Sequence, residues 1–204
     1  MLDRLRWAGP AAVGWSAAVV ATAASVNPQF SWLHGALSEL GAPGATAPWV
    51  YDGGLVVAGA LIVLYSLYLA AAARHWVEAY GAACFGLAGV FLALVGVYHA
   101  GTYPHDFVSE WFFTQAALGA AVWGVGELLT GRRRGAGYVA LAVGAEAAAA
   151  IVPWPSVALV ESFGALAVCA FALLVFGEER RLGPPRGRRP EPHAVGPSVP
   201  PERA

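Results

Sequence analysis

The chain has 204 residues, 58% of them hydrophobic and only 12% charged, with a formal net charge of −1. A soluble domain carries about twice that share of charge, so an ordinary water-soluble globule is excluded. The composition also gives no reason to expect a nucleic-acid partner. No period-two polarity alternation runs along the chain, which excludes a membrane barrel and leaves an all-α polytopic membrane protein.

Taken in chain order, six apolar stretches approach or reach the roughly 20 residues needed to cross a bilayer. They fall at 8–26, 49–73, 80–100, 109–130, 136–152 and 156–177. The fifth is the shortest and the richest in Ala and Gly. Together they predict a six-transmembrane-helix bundle forming one domain over 1–183. Residues 184–204 hold half of the fourteen prolines and read as a disordered cytoplasmic tail, too poor in apolar surface to fold.

Orientation follows from the basic residues. All twelve are arginines. They precede the first span, lie between spans two and three and between four and five, or follow span six. With six spans, every one falls on the same side. The positive-inside rule then puts both termini in the cytoplasm of a cell with this protein in its cytoplasmic membrane. Arg4 and Arg6 before an apolar run also resemble a signal peptide, but the run is long for one and ends at Asn27-Pro28, which favours an uncleaved first helix.

Residues 27–44, NPQFSWLHGALSELGAPG, connect the first two spans on the arginine-free side. Asn27 is placed to cap a helix that Pro28 opens. Phe30, Leu33, Leu37 and Leu40 recur at three- and four-residue steps, and Gly41 is placed to end the run. The spacing predicts a short amphipathic helix lying on the bundle as a lid or interface anchor.

Small residues recur four apart in span three (Ala82/Gly86, Gly89/Ala93) and span four (Ala116/Ala120/Gly124), a spacing that lets helix backbones approach in lipid. Cys84 and Cys169 lie in separate spans and read as free, apolar-like thiols.

Ionisable groups inside spans are costly unless paired or wet, and so carry the functional signal. Glu127, just before Arg132–Arg134, reads as a surface ion pair or a snorkelling side chain. Glu146 and Glu161 each lie seven residues from the Pro153-Trp154-Pro155 turn, about 10 Å below it on neighbouring helices. Facing each other, they would share a proton. His99 and Glu110 flank the Pro104-His105 turn at equal distances and stand in reach of one another. Asp52 begins span two. With Ser38, Glu39, His105 and Asp106, these residues form a polar cluster on the extracytoplasmic side. His34, His99 and His105 supply three imidazoles for a zinc site, but no close-spaced metal motif accompanies them, and no cofactor motif is evident.

Asn27-Pro28-Gln29-Phe30-Ser31-Trp32, Leu37-Ser38-Glu39-Leu40-Gly41, the Trp49–Gly54 entry to span two, and the His99–His105 turn followed by Trp111-Phe112-Phe113 resemble the domain of unknown function 998 family, six-helix membrane proteins common in archaea. The Ser-acidic-Leu-Gly element is also similar, more distantly, to DRAM-like membrane proteins. The resemblance implies six helices in the cytoplasmic membrane and leaves the activity open.

Three functional readings follow from the cluster. The first is a protein that binds a lipid, ion or protein partner on its extracytoplasmic side. The second is a proton- or cation-coupled transporter using Glu146 and Glu161. The third is a metal-dependent intramembrane hydrolase.

Overall fold

The computed structural model describes residues 2–182, and for Leu2 and residues 179–182 the backbone alone. The expected tail at 184–204 lies outside the described residues. After a single turn, α1 (Leu2–Leu5), six helices follow: α2 (Ala8–Val26), α3 (Pro48–Ala72), α4 (Trp76–Val97), α5 (Tyr103–Leu129), α6 (Gly135–Ile151) and α7 (Val157–Leu182). Helices α2, α3, α4, α5 and α7 contain segments long and apolar enough to cross a membrane, and α6 is a shorter apolar helix. Each packs on the next in sequence, and α7 returns to α2. Large side chains such as Leu64, Leu67, Val90, Leu118, Val143 and Leu174 point outward. An apolar exterior around a bundle is what a lipid solvent selects.

Glycines set the closest helix contacts. A Cβ on Gly59 of α3 would meet Ala93 N at 2.7 Å and the Gly89 carbonyl closer still. A Cβ on Gly119 of α5 would lie 2.8 Å from Phe85 N and 3.0 Å from Gly81 O. So α4 uses Gly89 and Ala93 against α3 and Gly81 against α5, and the backbones touch where larger residues would hold them apart. Gly124, the last of the expected small-residue series in α5, meets Gly135 and Tyr138 of α6.

Helix α7 packs against α2, α5 and α6. Phe171 packs edge-on against Phe85 and Tyr138, with centroids 5.1 and 5.5 Å apart. Tyr65 Oη donates to Ala172 O at 3.1 Å. Toward the end of the bundle that carries the 27–47 loop, α6 and α7 separate from α5 and leave a cleft.

The other end, where the arginines gather, is held by buried charge. Glu78 and Glu127 are 0% and 1% exposed, so the expected surface ion pair at Glu127 is instead an interior one. Arg134 clasps Glu127 with two bonds of 2.8 and 2.9 Å and pairs with Glu178 of α7. Arg132 pairs with Glu78 and lies 3.8 Å from Glu127. Glu78 Oε2 also accepts the Arg74 N–H at 3.0 Å. This network joins α4, α5, the α5–α6 turn and α7. Burial alone would lower the Arg134 pKa, yet the bonded Glu127 carboxylate raises it above the ordinary arginine value, so Arg134 keeps its charge.

Candidate functional site at the loop end

The 27–47 loop is ordered, but not as the amphipathic helix running from Pro28. It makes turns up to Ala36 and then a 3-10 helix, Leu37–Gly41. The reason is Asn27. Rather than capping a new helix, it closes α2, with its N–H on Ala24 O, and its buried side chain makes four hydrogen bonds. Nδ2 donates to Ala23 O and Thr46 O at 2.8 and 3.1 Å. Oδ1 accepts from Thr46 N at 2.6 Å and Gln29 Nε2 at 2.9 Å. The two ends of the loop are thereby tied together.

Of the expected apolar face, Leu37 and Leu40 are buried, whereas Leu33 is exposed. His34 is exposed and bonds Ser31 at 3.1 Å. Glu39 is exposed and Ser38 half-buried. Buried Gly41 sits against Asp52 and Tyr51, where a side chain would collide with the Asp52 carboxylate.

Three hydrogen bonds fasten the loop to the start of α7. Ser156 Oγ donates to Trp32 O at 2.5 Å, Ala158 N donates to Gly35 O at 2.8 Å, and Glu161 Oε2 accepts the Leu37 N–H at 2.7 Å. Ser156 also accepts from Leu159 N at 3.2 Å, the ordinary N-cap bond. The loop therefore satisfies the Ala158 amide, one of those that a helix start leaves open.

Beneath the loop, Asp52, Tyr51, His105 and Glu161 gather. Asp52 is within electrostatic reach of His99 and His105, and Glu161 of His105 and Glu39. His105 is buried in the first turn of α5, not in a free turn, with Nδ1 2.6 Å from Tyr98 O. A carbonyl only accepts, so Nδ1 carries the proton and Nε2 is left for other partners. His99 bonds Ala100 O at 2.9 Å. It makes no hydrogen bond or ion pair with Glu110 among the described residues, because Glu110 faces the cleft. Asp106 is exposed. Among the described residues no three or more His, Cys, Asp or Glu converge as metal ligands. Cys84 and Cys169 are free thiols.

Two cavities adjoin this group. A central one of about 110 Å³ is roofed by Leu37 and Ser38 and walled by apolar residues such as Leu55, Ile62 and Leu92. The cleft between α5, α6 and α7 is about 550 Å³. Its walls are mainly small and apolar, and Glu110, Glu146 and Glu161 are its charged groups. Glu146 and Glu161 thus line one space, with no hydrogen bond between them among the described residues. Glu161, Ser109 and Phe113 border both cavities. Ser109 Oγ is buried and without a hydrogen-bond partner among the described residues.

Sequence reasoning passed over Asn27 as a clamp, Ser156 as a link and Glu78 altogether. A Ser just before a helix and a Glu three residues after a helix cap were the available signals.

No curated protein and no solved structure matches the chain, so the more distant DRAM-like similarity stays a sequence resemblance. The model of a family described as protein of unknown function (DUF998) matches residues 10–177, from α2 into α7, and the chain belongs to that family.

Proposed function

We propose that this membrane protein binds a single-chain amphiphile with an ammonium head in the cleft between α5, α6 and α7. One observation carries the reading: a cleft of about 550 Å³ has mainly small apolar walls and three carboxylates, with no Lys, Arg or His among its lining residues. Its volume falls within the usual 300–1,000 Å³ range of small-molecule sites. Alanine-rich walls suit an acyl chain. Carboxylates facing hydrocarbon are costly unless a cation or water meets them, and an ammonium group supplies both charge and donors. The unpartnered Ser109 hydroxyl at the inner edge adds a polar contact.

The positive-inside rule supports placing the arginine end in the cytoplasm and the loop end outside, in the cytoplasmic membrane. The cleft's carboxylates then draw their ligand from the outer leaflet.

The test is thermal unfolding and native mass spectrometry of the purified protein with dodecylamine, dodecylphosphocholine or laurate. Dodecylamine at a hundred times its Kd should stabilise by about 2.7 kcal/mol, and Glu110→Gln with Glu146→Gln should weaken that effect. Equal stabilisation by laurate, or none by dodecylamine, sinks the proposal. A stabilisation by acid alone, lost in Glu146→Gln and Glu161→Gln, would instead favour proton coupling.

A further inference from the structure

We infer that Glu161 couples occupancy of the cleft to closure of the 27–47 loop: an ammonium head on its unoccupied oxygen holds the loop shut over the central cavity. This rests on the amphiphile reading above.

The loop is pinned at its ends and fastened separately in its middle. Asn27 binds both the N–H and the carbonyl of Thr46, so the two ends stay together whatever the middle does. The middle is the roof of the central cavity, through Leu37 and Ser38. It is fastened to α7 by the bonds from Ser156, Ala158 and Glu161. Of these three residues, only Glu161 also lines the cleft.

Glu161 uses one oxygen for the loop. Oε2 accepts the Leu37 N–H, and Oε1 accepts no hydrogen bond from the described residues. An ionised carboxylate offers about four lone-pair sites. A donor arriving from the cleft therefore adds to the Leu37 bond instead of displacing it. It also fixes the carboxylate in the rotamer that Leu37 needs, and its charge offsets the repulsion from nearby Glu39. Coupling is reciprocal: whatever factor the head group adds to loop closure, loop closure adds to ligand affinity.

The experiment is hydrogen exchange of the 36–41 segment in nanodiscs, with and without dodecylamine. Bound dodecylamine should slow exchange there by about fivefold or more, the lower end of ordinary coupling. Ser156→Ala, at a residue outside the cleft lining, should reduce that protection and weaken dodecylamine binding by at most the coupling factor. Ser156→Thr, which keeps the hydroxyl, should restore both. A purely structural Ser156 would leave the affinity unchanged. If dodecylamine binds while exchange at 36–41 is unchanged or faster, the coupling is wrong and the cleft reading stands. If dodecylamine does not bind, both fall.

Discussion

The Glu161 carboxylate receives the Leu37 N–H at 2.7 Å, although 124 positions separate the two residues. One side chain of the last helix thus holds the first connection of the chain in place. Hydrogen bonds to charged acceptors contribute about 1.5–3 kcal/mol, enough to set whether a short loop is closed. We expect Glu161→Leu to accelerate exchange of the Leu37 amide by tenfold or more, about 1.4 kcal/mol. Glu161→Gln keeps an acceptor oxygen and should have a much smaller effect. Equal exchange in both variants would show that the bond does not restrain the loop.

Asn27 is 2% exposed and makes four side-chain hydrogen bonds. Asn27→Leu leaves the Thr46 N–H and carbonyl without that partner. A loss of about 2 kcal/mol or more in unfolding free energy is expected, with proteolysis appearing first between residues 28 and 46. Asn27→Asp keeps the acceptor but sets a carboxyl oxygen against the Ala23 and Thr46 carbonyls, so it should recover little of that loss.

At the arginine end, removing one partner strands a buried charge. Arg132→Leu leaves Glu78 without its guanidinium, at a cost of about 3–5 kcal/mol. The double variant Glu78→Leu with Arg132→Leu should recover part of that loss, since two apolar groups need no pairing. A double variant as unstable as the sum of the two singles would contradict this account.

Two glycines should answer the same substitution with opposite signs. A Cβ on Gly59 would fall within contact of the Gly89 carbonyl and Ala93 N, whereas Gly144 of α6 has open space around it. Gly59→Ala should destabilise by about 1–3 kcal/mol through overpacking. Gly144→Ala should be neutral or stabilise, by up to about 1 kcal/mol, through helix propensity. Thermal unfolding of both in one detergent decides it.

The helices were legible because lipid imposes a one-dimensional rule: each span must be long and apolar by itself. The charge network was not, because Glu78 and Glu127 look like ordinary end residues until Arg132 and Arg134 fold over them. The loop misled for a local reason. Leu37 and Leu40 do point inward, but Asn27 spends its side chain tying the loop ends together, and Gly35 O and Leu37 N bond to α7 instead of to helical neighbours. Counting residues from the Pro153 turn put Glu146 and Glu161 at matching depths, and both line the cleft. Counting has no way to reveal that Glu161 already holds a backbone amide from another part of the chain.

Helix α6 has 17 residues, a rise of about 25 Å beside hydrocarbon about 30 Å thick. Such a mismatch is met by local thinning of the bilayer, at fractions of a kcal/mol per ångström. The dent would form along the wall of the cleft and bring lipid headgroups and water down toward Glu146. The same carboxylate would then sit at different depths relative to the lipid surface in thin and thick membranes, and bilayer thickness itself would tune how readily the cleft fills.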